Sequence, residues 1–171
     1  MIGPGEANRV DSDPAAVIEA YLREQELEYE RFDATHFAVA LPGEKRLKTA
    51  TLLTIGTHSL DVEAFVMRRP DENHEQLHAL LLQRNARAYG VHWAVDQAGD
   101  VYLTGRVPLA AITPDEIDRI LGCVLEYADG TFNTLLEVGF GSSIRKEWAW
   151  RLSRGESTRN LEAFAHLKPA K

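Results

Sequence analysis

The chain has 171 residues, of which 44% are hydrophobic and 26% charged, a balance typical of one globular domain with a single core. Its formal net charge of −7 argues against partners with phosphate backbones or anionic lipid surfaces, so neither a nucleic acid nor a membrane is expected as a partner. No apolar window approaches the length of a membrane span, and the single cysteine, Cys123, fits a reducing compartment, so a cytoplasmic location is expected.

The first half of the chain predicts one helix followed by four strands. Residues 1–12 are polar and contain Gly and Pro, so we expect a flexible tail there. Asp13 followed by Pro14 is typical of a helix start, because Asp caps free N–H groups and Pro has none of its own to satisfy. Strands are predicted at residues 30–34, 37–41, 48–55 and 59–67. The last two strands form a hairpin, since a tight turn at Gly56 joins them and the second alternates between apolar and polar residues.

The region after Pro70 predicts a helix and a second hairpin. The helix is expected to end near Tyr89 and Gly90, because Gly is a common helix terminator. Two strands, VHWAV at 91–95 and VYLTGRV at 101–107, then flank the loop DQAGD.

A long amphipathic helix dominates the C-terminal part. In TPDE, Thr113 can cap the helix while Glu116 reaches back to the Thr113 backbone. Apolar residues recur at helical spacing beyond it, with a bend or restart expected at Gly130 and a break at residues 141–143. A last short helix, IRKEWAWRL, follows.

The order of these elements predicts an α+β fold with an antiparallel sheet flanked by helices. In sequence the elements read α-β-β-β-β-α-β-β-α-α. Residues 13–167 are expected to form this single domain, and residues 168–171 a C-terminal tail.

HEQLH at residues 74–78 matches the HExxH pattern with which zinc peptidases bind their metal. His74 and His78 would lie one turn apart, and Glu75 would act on a zinc-bound water. Residues 71–73 are polar and place His74 in an exposed first turn, and Arg84 stands where the extended pattern has its third histidine. We therefore predict two surface histidines, no metal and no cofactor. A zinc hydrolase whose third ligand is a later glutamate stays open as an alternative, and so does a small-molecule sensor with a closed polar pocket.

Three polar or aromatic clusters are candidates for contact with a protein partner. Each also has a structural interpretation. Residues 68–74 would be a capped helix start with surface ion pairs, and Arg84 and Asn85 would satisfy backbone groups at a sheet edge. The tryptophans of the last helix would pack it onto the domain. No serine elbow, P-loop or dinucleotide fingerprint occurs, so no catalytic set is predicted. The predicted contact residues are Arg68, Arg69, Asp71, Glu72, Asn73, His74, Arg84, Asn85, Glu147, Trp148 and Arg151.

Four segments together resemble an actinobacterial member of the YbjN family, over about residues 13–167. They are LPGEKRLKT, VMRRPDENHEQLHALLLQRN, GDVYLTGRVPL and FNTLLEVGFGSSIRKEWAWRLSRGES. The resemblance implies a bacterial sensory-transduction regulator. It also implies a fold similar to secretion chaperones of the Tir-chaperone type, which are small, acidic, dimeric α+β proteins that hold client segments along a sheet and helix surface. The family has no defined catalytic residues, so the resemblance implies none here.

The expected function is therefore a non-enzymatic regulatory or chaperone-like module that binds a protein client, with a homodimer as the expected assembly. The client would be an extended or helical segment, bound by edge-strand addition or in a groove.

Overall fold

The structure, a computed structural model, describes residues 13–170, so the tail predicted at residues 1–12 lies outside the described residues. The elements are α1 (Pro14–Glu24), β1 (Glu28–Arg31), β2 (His36–Pro42), β3 (Lys48–Ile55), β4 (Ser59–Met67), α2 (His74–Asn85), β5 (Val91–Val95), β6 (Val101–Pro108) and α3 (Pro114–Arg154), with 3-10 segments at Leu109–Ala111 and Arg159–Leu167. The predicted α+β class and the order of elements are confirmed.

The strands form one antiparallel sheet in the order β1-β2-β3-β4-β6-β5. Its inner face is mostly apolar, since alternate residues of each strand point the same way and most of those on this face are hydrophobic. One row across five strands consists of Val39, Thr51, Ala64, Leu103 and Trp93, all of them buried. The described helices pack on this face and complete the core.

The outer face of the sheet is open to solvent. The next row consists of Ala38, Leu52, Glu63, Thr104 and His92, which are exposed or half-buried. In the described part of the chain, no helix is both long enough and apolar enough to cross a bilayer.

The predicted helix caps are present, with one difference. The Asp13 side chain caps α1, and Thr113 Oγ1 accepts a hydrogen bond from the Glu116 backbone N–H at 3.1 Å. The Glu116 carboxylate does not reach back to Thr113, because it accepts hydrogen bonds from the Tyr89 hydroxyl and the Arg119 guanidinium instead.

Two predicted boundaries are wrong. The first strand lies at Glu28–Arg31 rather than at residues 30–34, because its pairing with β2 sets its ends, whereas β2 differs from its prediction by one residue at each end. α2 ends at Asn85 rather than near Gly90, because the Asn85 side chain turns towards strand β5.

α3 runs through Gly130 without interruption, so the bend expected there is wrong. The helix is kinked instead at Phe140, whose φ of −139° and ψ of 17° are not helical. This kink lies directly before the break predicted at residues 141–143. The two predicted C-terminal helices are thus the two halves of one kinked helix.

Candidate functional site

The kink in α3 is held by the segment between β4 and α2. In a continuous helix the Ser142 N–H would donate to the Val138 carbonyl. Here the Glu72 Oε1 atom accepts the Ser142 N–H at 2.6 Å, and the Asn73 amide donates to the Val138 carbonyl at 2.9 Å. Side chains from another part of the chain thus replace one helical hydrogen bond of α3. We call residues 71–73 together with Ser142 the kink clamp.

Backbone groups of the kink clamp add two further hydrogen bonds. The N–H groups of Asp71 and Glu72 both donate to the Gly139 carbonyl, at 2.9 and 3.2 Å. That carbonyl lies directly before the kinked residue, Phe140. The clamp therefore satisfies groups that a kink would otherwise leave open.

Both carboxylates of the kink clamp are stabilised in their ionised form. The Ser142 backbone N–H, and then the Ser142 hydroxyl at 2.7 Å, lower the pKa of Glu72 below its usual value. The pKa of Asp71 is also lowered, chiefly by the hydrogen bond from the Arg68 guanidinium. The clamp is therefore charged at neutral pH.

Arg68 and Arg69 precede the kink clamp and face different surroundings. The Arg68 guanidinium donates to both oxygens of Asp71, at 2.9 and 3.1 Å, and lies 4.3 Å from the centre of the Phe140 ring. The Arg69 backbone N–H donates to Asp100 at 2.7 Å, which fixes the end of β4 to the β5–β6 loop. Both arginine side chains are exposed.

An open groove of about 460 Å³ lies between the end of β4 and α3. Its lining is mostly apolar, with an arginine at either side. The lining residues are Arg46, Phe65, Val66, Met67, Arg68, Phe132, Leu136 and Phe140. We call it the phenylalanine groove, and it joins the predicted Arg68 position to a surface that the sequence did not indicate.

Arg46 forms part of the wall of the phenylalanine groove. Its guanidinium donates to the carbonyls of Phe65 and Val66, and lies 5.7 and 5.3 Å from the ring centres of Phe65 and Phe132. The loop that carries Arg46 is itself held by Asp129 of α3, which accepts the Arg46 backbone N–H at 2.8 Å. The groove wall is thus built in place before any ligand arrives.

The HEQLH segment occupies the first turns of α2. His74 is half-buried, whereas Glu75 and His78 are exposed, because Leu77 is the residue of this turn that enters the core. Among residues 13–170, no group of three or more His, Cys, Asp or Glu side chains could hold a metal ion. The described residues therefore do not supply the third ligand that the zinc alternative requires.

Arg84 and Asn85 have different roles. Asn85 Oδ1 accepts the Trp93 N–H at 2.7 Å, and the Asn85 amide donates to the Trp93 carbonyl at 3.1 Å. The structural interpretation, in which this residue satisfies backbone groups at the sheet edge, is confirmed for Asn85. Arg84 is exposed and lies in a second groove, described below.

The third predicted cluster lies on the second half of α3. Trp148 is only 4% exposed, and its indole N–H donates to the Phe164 carbonyl at 3.0 Å. The chain's own C-terminal segment covers this side chain, so the prediction that Trp148 contacts a partner is wrong. Arg151 pairs with Glu147 at 2.6 Å and donates to the Ser157 carbonyl at 2.8 Å, which fixes the same segment.

Sequence reasoning missed most of the phenylalanine groove. One signal was present: Phe65 follows Ser59, Asp61 and Glu63 on the same face of β4, and a large aromatic residue on a polar face is unusual. Phe132 and Leu136 read as a continuation of the core stripe of α3, but they are only half-buried.

Solved structures with this architecture include proteins of type III secretion systems. The chain matches the type III secretion chaperone SycH of Yersinia pestis, solved with a fragment of YscM2, with a TM-score of 0.51 and 18% identity over 70% of this chain and 98% of that chain. It also matches the ExoU–SpcU complex of Pseudomonas aeruginosa, a heterodimer from the type III secretion system, with a TM-score of 0.54 and 16% identity over 72% of this chain and 98% of that chain. At such identities the similarity concerns the fold alone. The predicted secretion-chaperone-like fold is confirmed.

The chain belongs to the YbjN family. The sequence pattern of that family, described as "Putative bacterial sensory transduction regulator", matches residues 14–137. An uncharacterised protein of Mycobacterium leprae is 55% identical over 157 residues, which are 89% of this chain and 85% of that protein. The structure of YbjN from E. coli matches with a TM-score of 0.52 and 14% identity over 72% of this chain and 90% of that chain. The family resemblance seen in the sequence is confirmed.

Proposed function

We propose that this chain is a non-enzymatic regulatory or chaperone-like module that holds a segment of a client protein in the phenylalanine groove. The observation that carries the proposal is an open, preformed apolar groove with an exposed guanidinium, Arg68, at its edge. Chaperone–effector complexes that share this fold support a protein as the ligand.

The chemistry of the phenylalanine groove suits an apolar side chain next to a hydrogen-bond acceptor. Each aromatic or leucine side chain that the client covers contributes about 1.5–3 kcal/mol when it leaves water completely. Arg68 is partly neutralised by Asp71 but retains N–H groups that can donate to a client carbonyl or carboxylate. The other predicted contact residues between β4 and α2, Arg69, Asn73 and His74, would contact the flanks of the client or hold this segment in place.

We further propose that the chain acts as a homodimer in a reducing cytoplasm. Several large apolar side chains on its surface support self-association, including Leu82 and Trp150, which are 70% and 45% exposed. The single cysteine supports a reducing compartment, because one thiol cannot form an internal disulfide. Sedimentation of the purified chain at increasing concentration tests the assembly, and a monomer at all concentrations would contradict it.

Affinity capture of the tagged full-length chain from the cells that express it tests the client proposal. We expect one stoichiometric partner with the wild type. The Leu136→Gln variant should capture less of this partner by a factor of about ten, because a polar amide replaces an apolar side chain in the groove wall. Arg68→Glu provides a second variant, which replaces the guanidinium at the edge of the groove and leaves its apolar residues unsubstituted.

Leu152→Gln is the matched control, since it makes the same substitution at a 44% exposed leucine of the same helix outside the groove. It should capture the partner like the wild type. Equal capture by all variants, or no partner with the wild type, would contradict the proposal.

A further inference from the structure

A second groove, of about 420 Å³, shares no lining residue with the phenylalanine groove. It is formed by the last turns of α2, the middle of β5 and the middle of α3. Its main lining residues are Leu80, Arg84, Arg87, Trp93, Tyr127 and Thr131. We call it the arginine groove.

The arginine groove combines an apolar floor with two guanidinium groups. Trp93 is buried and Leu80 half-buried, so the floor is largely carbon. Among residues 13–170, neither Arg84 nor Arg87 has a carboxylate within ion-pair distance, although other arginines of the chain do. The paired ones are Arg23, Arg31, Arg68, Arg106, Arg119 and Arg151.

The charge of the arginine groove is opposite to that of the whole chain. A chain of net charge −7 repels acidic partners at long range, but two neighbouring guanidinium groups attract a carboxylate at short range. Guanidinium groups bind carboxylates through paired hydrogen bonds, and they do so more strongly beside an apolar surface than in open water.

The edge of β5 beside this groove is closed to an added strand. Asn85 already holds both the N–H and the carbonyl of Trp93, so an extended peptide cannot pair with that residue. A ligand of the arginine groove must therefore bind through its side chains, as a helix does when it lies in a groove.

We infer that the arginine groove binds an acidic amphipathic helix of a protein partner, with a large apolar side chain on the Trp93 floor and carboxylates on Arg84 and Arg87. This surface goes beyond the client site and does not depend on it. The partner is recognised by charge and an apolar anchor together, so binding weakens as the salt concentration rises.

Selection from a phage-displayed library of random peptides on the immobilised full-length chain supplies the probe. We expect the selected peptides to carry Asp or Glu beside Leu, Phe or Trp at helical spacing. Synthetic copies of these peptides are then titrated by fluorescence anisotropy against the wild type and its variants.

The Arg84→Glu/Arg87→Glu double variant should bind the selected peptides about 100-fold more weakly, because two charge-assisted contacts become repulsive. The Arg84→Gln/Arg87→Gln variant removes the two charges without reversing them. It replaces the first variant in the titration if the first variant fails to fold. Lys146→Glu/Arg159→Glu makes the same change of charge outside the groove and should bind within about threefold of the wild type. Leu136→Gln should also bind normally, which separates this surface from the phenylalanine groove.

Three results would overturn the inference. They are selected peptides without acidic residues, equal binding of acidic peptides by the Arg84→Glu/Arg87→Glu variant, and sedimentation showing that this variant has lost a dimer that the wild type forms. The last result would mean that a second copy of the chain occupies the arginine groove.

Discussion

At Asn85, one amide side chain takes the place that a neighbouring strand would occupy. It bonds both backbone groups of Trp93 on the edge strand β5 and ends α2 in doing so. An edge strand with unpaired groups is a template for unwanted pairing, and this contact removes that template at its middle residue.

The Asn85→Ala substitution should destabilise the fold by about 1–2 kcal/mol, because two hydrogen bonds to Trp93 are lost. Urea unfolding followed by circular dichroism measures the change. Gln76→Ala, an exposed position on the same helix, is the control and should lie within about 0.5 kcal/mol of the wild type. Equal stabilities of the two variants would show that water replaces the amide at no cost.

Glu72 makes the kink clamp sensitive to pH. Its pKa is lowered in the folded chain by the Ser142 N–H and hydroxyl, so its ionised form stabilises the fold above the unfolded pKa of about 4.3. That contribution is lost as the pH falls through the lower folded pKa. The stability difference between wild type and Glu72→Gln should therefore be present at neutral pH and shrink between about pH 5 and pH 3.

Urea midpoints at a series of pH values measure this difference. Glu75→Gln removes an exposed carboxylate from the following turn and controls for the loss of one negative charge. A Glu72→Gln difference that stays constant as the pH falls, or that Glu75→Gln reproduces, would contradict the role of Glu72 in the clamp.

At the scale of elements, the kink in α3 depends on a close approach at Gly139. A Cβ atom there would lie 2.8 Å from Pro70 Cβ and 3.2 Å from Met67 Cε, so the segment before α2 could not pack as it does. Gly122, in the same helix, has open space where its Cβ would be.

The different surroundings of Gly139 and Gly122 predict opposite effects of the same substitution on stability. Gly139→Ala should destabilise the fold by about 1–3 kcal/mol through overpacking, whereas Gly122→Ala should stabilise it by about 0.5–1 kcal/mol through helix propensity. Chemical denaturation of both variants tests the pair. If Gly139→Ala proved neutral or stabilising, the close contact with Pro70 would not be what fixes the kink.

Local patterns were enough to predict some elements and not others. The bounds of β4 follow from its alternation of apolar and polar residues, and the turn at Gly56 sets where β3 ends; both are properties of neighbouring residues. The end of α2 depends on a contact between Asn85 and Trp93, and the kink on contacts between residues 71–73 and residues 138–142. Such contacts between distant segments are set by the packed fold and leave little trace in local sequence.

The candidate site was predictable only in part for the same reason. The segment at residues 68–74 could be predicted as a candidate contact surface because charged residues cluster there in the sequence. The phenylalanine groove could not, since Arg46, Phe65 and Phe132 meet only after β4 and α3 have packed together. Trp148 misled the prediction because its cover, residues 159–167, meets this part of α3 only once the chain has folded.

At the scale of the whole molecule, the helices cover one face of the sheet and the two proposed binding surfaces lie around α3. The phenylalanine groove and the arginine groove share no lining residue, so the proposed client and the proposed second partner would not compete for the same side chains. A small regulator needs such separate surfaces if it is to connect one protein with another.

Photocrosslinking in living cells tests the central claim, that the phenylalanine groove holds a client protein. The photoreactive amino acid is introduced by Leu136→p-benzoylphenylalanine, with Leu152→p-benzoylphenylalanine as the control on the same helix. We predict one discrete crosslinked product at position 136, identified by mass spectrometry as a different protein, and none at position 152. Crosslinks to another protein at position 152 but not at position 136, or no crosslink at either position, would contradict the account.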